Sequence, residues 1–213
     1  MQNNSANLQA DCQGYVLATN NPSKVAELNA ILESRLGAEN FRLIALSDLG
    51  LALSPEETGT TFEENAIIKA NETAALLKKH GHEMTVLADD SGLCIDAMDG
   101  ELGVNSALYM GAGTPYSVRI AEILKTMQGV PDDQRTARFV CVIACVAPDG
   151  KITTTTGVVE GRIANSPSGK DGFGYDPIFY LPEYDKTMSE LSSEEKNAIS
   201  HRGQAFNRML DML

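Results

Sequence analysis

Apolar residues recur in short runs and helical stripes through the first part of the chain, then in two long runs joined by a turn. Tyr15-Val16-Leu17-Ala18-Thr19 reads as a first strand. Asn20-Asn21-Pro22-Ser23-Lys24 follows, with an Asn cap and a proline suited to a first helical turn. Val25, Leu28, Leu32 and Leu36 then fall at helical spacing and stop at Gly37. Phe41 to Leu46 predicts a second strand. Thr61-Phe62-Glu63-Glu64 matches a capping box and opens a helix through Ala66, Ala70, Ala74 and Leu77 to Gly81. Met84 to Ala88 predicts a third strand, ending at Asp89-Asp90. Thr114-Pro115 opens a further helix, with Val118, Ala121 and Leu124 facing inward, closing at Gly129.

The pattern then changes. Ala137 to Ala147, the turn Pro148-Asp149-Gly150 and Lys151 to Gly161 predict two long strands in a hairpin. Thr153 to Thr156 is read as part of a β-branched strand. Ile178-Phe179-Tyr180 adds a short strand, and Ser192-Ser193-Glu194-Glu195 caps helical sequence reaching Leu213. The hairpin forces antiparallel pairing, so the class is α/β with a mixed sheet. Neither repeats nor Pro-, Gly- or Ser-rich linkers divide the chain. Residues 1–13 are expected to be a flexible segment and 14–213 a single domain of two lobes sharing one sheet.

Composition narrows the partners. The 213 residues are 43% hydrophobic and 22% charged, values of a globular protein, and carry a net charge of −12. Nucleic-acid polymers are therefore unexpected partners, because a duplex binder carries a basic face. A small polyanion remains possible where a few Lys and Arg converge beside a divalent cation. The polar N-terminal residues lack a secretory pattern, and no apolar run reaches membrane-spanning length. Cys12, Cys94, Cys141 and Cys145 do not form a secreted disulfide framework. Cys141 and Cys145 share one face of a strand and read as buried thiols, not a metal site. A cytoplasmic location without membrane association is expected.

Four clusters carry chemistry. In Ala88-Asp89-Asp90-Ser91-Gly92, adjacent carboxylates at a strand end suit a Mg²⁺ ion that takes one or two carboxylates plus phosphate oxygens. A polar turn is the alternative. Strand, then Thr19 to Lys24, then helix, is a phosphate-binding arrangement in which free N–H groups and Lys24 face an anion. Without flanking glycines it is not a Walker A loop. Lys69, among Ala66, Ile67, Ile68 and Ala70, either snorkels to water or points into a cleft, and Glu56-Glu57 could complete a metal site beside Asp90. Gly172-Phe173-Gly174-Tyr175-Asp176-Pro177 exposes an aromatic ring suited to stacking on a base, and the carboxylate could accept an N–H. In Glu195 to Gly203, Lys196, Ser200, His201 and the donor-only Arg202 could read base carbonyls or phosphates.

In this order the motifs resemble the inosine triphosphate pyrophosphatases, enzymes of non-standard purine nucleotides, over Tyr15 to Leu213. The resemblance rests on Ala18-Thr19-Asn20-Asn21 with Lys24, Glu57-Thr58-Gly59 with Phe62 and Glu64-Asn65-Ala66, Ala88 to Leu93, Gly172 to Pro177, and Glu195 to Gly203. It implies an elongated mixed sheet with flanking helices, two lobes around a cleft, and a homodimer. It also implies Mg²⁺-dependent hydrolysis of ITP, dITP and XTP to the monophosphate and pyrophosphate. Carried over by residue, Thr19, Asn20, Asn21, Pro22, Ser23, Lys24 and Lys69 fall at substrate contacts, chiefly the triphosphate. Glu56 and Asp90 fall at metal ligands, and Asp90 also at the proton acceptor. Ser91 falls on phosphate or sugar. Phe173 stacks on the base, lined by Gly174, Tyr175 and Asp176, and Lys196, His201 and Arg202 reach the purine edge.

One stretch departs. Many bacterial members read Pro-Gly-x-x-Ser-Ala-Arg-Tyr-Ala-Gly where this chain has Leu102 to Gly111, with Leu108 and Met110 in place of Arg and Ala. Those two side chains are expected to pack against protein, as across a dimer interface. The alternatives are a pyrophosphatase of the Maf type and a nucleotide-binding module without turnover.

Overall fold

The computed structural model describes residues 13–37, 41–99 and 101–213. The expected flexible segment, Cys12 included, lies outside them except for Gln13. The strands are β1 (Gln13–Leu17), β2 (Phe41–Ala45), β3 (Thr85–Ile95), β4 (Thr136–Val146), β5 (Ile152–Ile163), β6 (Phe179–Leu181) and β7 (Lys186–Thr187). They form one mixed sheet in the order β2-β1-β3-β4-β5-β6-β7. β1 pairs in parallel with β2 and β3, and every pair from β3 to β7 is antiparallel. The helices are α1 (Pro22–Leu36), α2 (Phe62–Lys79), α3 (Tyr116–Thr126), α4 (Ser193–Ile199) and α5 (His201–Leu210).

The third strand does not end where the sequence suggests. β3 runs eleven residues, through Asp89 and Asp90 to Ile95, because β4 supplies antiparallel partners from Val86 opposite Val146 to Ile95 opposite Ala137. β1 accompanies it only as far as Leu17 opposite Leu87, with Ala18 N–H donating to the Leu87 carbonyl at 2.8 Å. The carboxylates therefore lie in mid-strand, at the carboxyl end of β1. Strand alternation sends Leu87, Asp89 and Ser91 to one face and Val86, Ala88 and Asp90 to the other.

Each face has its own core. Leu17, Leu87, Ile143, Cys141 and Cys145 pack with Leu28 of α1 and Phe206 of α5. Val16, Val86, Ala88 and Val142 pack on the other face with Ala66, Ala70 and Leu77 of α2. A third cluster, around Leu93, Phe139, Ile123, Ile178 and Phe179, fills the far end of the long strands. Cys141 and Cys145 are buried free thiols, and burial pushes them up to about 12 and about 11.

Two local expectations need correction. In α3 the inward residues are Ile120 and Ile123 with Arg119, while Val118 and Ala121 face outward. Both stripes have helical spacing, and the larger β-branched pair takes the core. The C-terminal helical sequence breaks at Ser200, which ends α4 and caps α5 with its side chain on Gly203 N–H. The break sets His201 and Arg202 in the first turn of α5, pressed on the sheet. Gly157 of β5 makes this possible, since a Cβ there would lie 2.1 Å from the His201 carbonyl oxygen.

Candidate active site

A cavity of about 350 Å³ opens where β1 stops and β3 continues. Its wall includes Thr19, Asn20, Asn21, Lys24, Lys69, Asp90, Ser91, Phe173, Gly174, Tyr175, Asp176, Lys196, His201 and Arg202. The structure thus gathers most of the expected residues, drawn from five separate stretches of sequence. Pro22 and Ser23 do not line it. Pro22 fills the exposed first position of α1, and the Ser23 N–H is taken by the Asn21 side chain at 3.0 Å. That cap uses a helix N–H group that the sequence reading offered to phosphate.

The two central carboxylates have separate partners. Asp89 is 1% exposed, and its Oδ2 accepts from Lys24 at 2.8 Å and Arg202 at 3.4 Å. Burial alone would raise its pKa, but Lys24, Arg202 and Lys69 outweigh it and hold the carboxyl well below the ordinary range. On the opposite face Asp90 accepts from Lys69 Nζ at 2.7 Å, and its Oδ2 is enclosed without a partner. Burial pushes Asp90 up, and the Lys69 charge offsets that only in part. For Lys69 burial opposes the charge, yet Asp90, Asp89 and Glu57 together raise its pKa, so it is an ammonium.

Glu57, not Glu56, reaches this centre. Glu57 Oε1 lies 3.5 Å from Lys69 Nζ and lines the cavity, whereas Glu56 is exposed and lies outside it. The loop turns here, with Thr58 N–H on the Glu56 carbonyl, and buried Asn65 holds Gly59 N–H at 2.8 Å. The α2 capping box anchors the next residues, since Glu64 accepts from both Thr60 and Thr61. This clamp sets Glu57, itself 45% exposed, against Lys69 at the cavity wall and leaves Glu56 outside the lining.

At the other end Phe173 stands on a loop whose shape Asp176 dictates. Asp176 Oδ2 accepts from Phe173 N–H and from Lys196 Nζ, both at 2.8 Å. Gly172, at φ 80°, lies so close that a Cβ would sit 2.3 Å from that oxygen. Asp176 therefore holds the loop and has Oδ2 engaged, where the sequence reading offered it to a base. Lys196 and Arg202 place cations 4.8 and 5.5 Å from the Phe173 ring centre. Tyr175 is buried, donates to the Ser106 carbonyl at 2.7 Å and meets Tyr116 edge-on; burial pushes its phenol up to about 12.

Arg202 ties the ends together. It is 2% exposed and donates to Glu27 at 2.5 Å, Asp89 at 3.4 Å and Ser91 Oγ at 2.9 Å. Glu27 also takes Lys196 at 2.6 Å. His201 stacks on Phe139 at 4.8 Å, with Nδ1 enclosed and unpartnered. Burial first, then the charges of Arg202 and Lys196, press its pKa well below the ordinary value, so the ring is neutral.

Sequence reasoning missed the role of Glu27 and the pairing of Asp89 with Lys24 and Arg202, and of the two glutamates it took Glu56 where Glu57 meets Lys69. Glu27 follows Lys24 at i+3, on the same face of α1, and that spacing was a usable signal. The loop from Leu102 leaves exposed on this chain the two side chains that the sequence reading set against protein, as across a dimer interface. Leu108 lines the cavity and is 58% exposed, and Met110 is 48% exposed, so neither packs against this chain. The loop is instead pinned by buried Arg119, which donates to the Ala107 and Gly111 carbonyls.

Residues 15–212 match the Ham1 family. The chain is 45% identical over 198 residues to the dITP/XTP pyrophosphatase of Bacillus subtilis (strain 168), covering 93% of this chain and 96% of the relative. It superposes on the Staphylococcus aureus Ham1 protein with TM-score 0.80 and 40% identity, over 94% of this chain and 97% of that one. It superposes on a nucleoside-triphosphatase / dITP/XTP pyrophosphatase from Mycobacterium abscessus with TM-score 0.71 and 39% identity, over 93% and 99%.

Proposed function

The chain belongs to the Ham1 family, and from that premise we propose that it hydrolyses the non-standard purine nucleoside triphosphates dITP, ITP and XTP to the monophosphate and pyrophosphate. The observation that carries the reading is one cavity lined both by the Phe173 ring and by Lys24, Lys69 and Asp90. An aromatic face and an ammonium-lined acidic centre match the two ends of a nucleoside triphosphate.

Asp90 and Glu57 would hold Mg²⁺. The donor set fits, because Asp90 Oδ2 is enclosed without a partner and Glu57 is the nearer glutamate. Among the described residues no group of three or more His, Cys, Asp or Glu could cage an ion alone. That suits a hard cation carried largely by phosphate oxygens. When bound, Mg²⁺ neutralises charge on the triphosphate.

The chain's own groups do the rest. Lys24 and Lys69 exchange their carboxylate partners for phosphate oxygens. We assign Asp90 the proton of the water that attacks the α-phosphorus, a role its unpartnered Oδ2 at the cavity supports. The bond from that phosphorus to the bridging oxygen breaks, and pyrophosphate leaves. Phe173 stacks on the base. His201 and the free N–H groups of Arg202 donate to the C6 oxygen that hypoxanthine and xanthine share.

The reading includes a homodimer in the cytoplasm. Exposed Leu108, Met110 and Val118, clustered in one stretch of chain, support a covered surface there, and sedimentation tests it. Buried free thiols support a reducing compartment. Among the described residues no helix is long and apolar enough to cross a membrane. Pyrophosphate release from ITP, XTP, ATP and GTP, with and without Mg²⁺, tests the activity. Rapid Mg²⁺-dependent release from ITP and XTP and slow release from ATP and GTP is expected; equal rates on all four would overturn the specificity.

A further inference from the structure

Among the described residues five side-chain polar atoms are enclosed without a hydrogen-bond partner: Thr73 Oγ1, Asp89 Oδ1, Asp90 Oδ2, Arg119 Nε and His201 Nδ1. All but Arg119 belong to residues that line the cavity. A buried polar atom left unpaired is costly, so its concentration at one cavity marks atoms awaiting a ligand. Asp90 and His201 already have roles, and Asp89 Oδ1 belongs to a carboxylate whose other oxygen is held by Lys24 and Arg202. Thr73 has none.

Thr73 is 1% exposed and lies one turn beyond Lys69 on the buried face of α2. A helical threonine usually satisfies its hydroxyl on the carbonyl four residues back, and this one does not. The cavity it lines has apolar wall at Ala18, Leu46, Leu53 and Pro55 beside its charged groups. Its unpaired hydroxyl can donate to an anion held in the cavity.

We propose that Thr73 is a substrate-binding residue whose hydroxyl donates to the terminal phosphates, the portion that leaves as pyrophosphate. This rests on the activity proposed above. Phe173, Lys196 and Arg202 gather on the α1 and α5 side of β3, whereas Lys69 and Thr73 gather on the α2 side. A base on Phe173 sends the phosphate chain past Asp90 toward Lys69, and Thr73 is the next hydroxyl along α2. Being neutral, it holds the leaving group without adding a charge that would retain the product.

Thr73→Val keeps the shape and removes the hydroxyl; Thr73→Ser restores it. Calorimetry with inorganic pyrophosphate and with IMP, in Mg²⁺, reads the two halves of the site on the full chain. Thr73→Val should weaken pyrophosphate about tenfold or more, the value of one hydrogen bond to a charged group. IMP affinity should stay unchanged, Thr73→Ser should recover pyrophosphate binding, and Tm should not fall, because the lost hydroxyl was unpaired. Unchanged pyrophosphate affinity, or an equal loss of IMP, overturns the role of Thr73. If Thr73→Val does not fold, Thr73→Ala takes its place against Thr73→Ser with the same outcomes. Wild-type protein that releases no pyrophosphate from ITP overturns the activity instead, a result these variants do not enter.

Discussion

Asp89 and Asp90 are adjacent in sequence and serve opposite faces of β3. Asp89 pairs with Lys24 at 2.8 Å on the α1 side, and Asp90 pairs with Lys69 at 2.7 Å on the α2 side. Mutual repulsion between the two carboxylates is thus answered locally by a separate ammonium on each side. Each keeps one oxygen without a hydrogen-bond partner, but Asp89 Oδ2 answers two cations, Lys24 and Arg202, where Asp90 Oδ1 answers Lys69.

The two residues should therefore fail differently. Asp90→Asn should abolish turnover with little change in unfolding midpoint, since it keeps the shape and Lys69 retains Glu57. Asp89→Asn should destabilise by about 3–5 kcal/mol, because it strips a buried partner from Arg202 and Lys24. Urea unfolding and pyrophosphate release, measured on both variants, check this. Near-normal activity of Asp90→Asn at saturating Mg²⁺ would remove it from the centre.

The glutamates offer a sharper contrast. Glu57→Gln should reduce activity at limiting Mg²⁺ and recover in part as Mg²⁺ rises, while Glu56→Gln should match wild type. The reverse pattern would mean that the loop rearranges when nucleotide binds. A Mg²⁺ titration of pyrophosphate release distinguishes the two.

Lys69 stands between the carboxylates proposed for the cation, 2.7 Å from Asp90 and 3.5 Å from Glu57. An ammonium there opposes a divalent ion until a triphosphate draws it away. Lys69→Met should accordingly bind Mn²⁺ or Mg²⁺ more tightly than wild type without nucleotide, and bind nucleotide more weakly. Equal metal affinity in calorimetry would show that Lys69 does not compete for the site.

How much of this was legible depended on the range of the forces involved. The α1 cap at Asn21, the α2 capping box and the β4–β5 hairpin are set by near neighbours, and each was readable. The length of β3 was not, because its continuation past Ala88 depends on pairing with β4, remote in sequence. The break at Ser200 escaped for another reason: a serine within helical sequence carries no mark that it ends one helix and caps the next. Motif residues identified which stretches meet at the cavity. They did not distinguish Glu57 from Glu56, which a turn and the Asn65 clamp decide.

His201 should make stability depend on pH. Its folded value lies well below 6.5, so below that pH the unfolded chain binds a proton that the folded one refuses. Stability should fall as pH drops from about 6.5 toward the folded value, with a slope of up to about 1.4 kcal/mol per pH unit. His201→Gln should flatten that slope when urea unfolding is compared at neutral and mildly acidic pH. An unchanged slope would mean that other groups govern it.

Arg202 is the severest test of base discrimination, because its side chain already serves the fold. Three of the five N–H groups a guanidinium offers go to Glu27, Asp89 and Ser91, leaving two for a ligand. Arg202→Ala would take one of two cations from buried Asp89 and from partly buried Glu27, so a loss of activity there would not separate folding from recognition. Arg202→Lys keeps the charge between Glu27 and Asp89 and gives up the planar fork. If the free N–H groups donate to the C6 oxygen of hypoxanthine, kcat/KM for ITP should fall about tenfold or more. ATP should change little, because adenine presents an amino donor there and never received the bond. The gap between the two substrates should narrow, with the unfolding midpoint as the control for a damaged core. An equal fall on ITP and ATP would make Arg202 a brace for Asp89 and Phe173, and leave His201 as the group that reads the base.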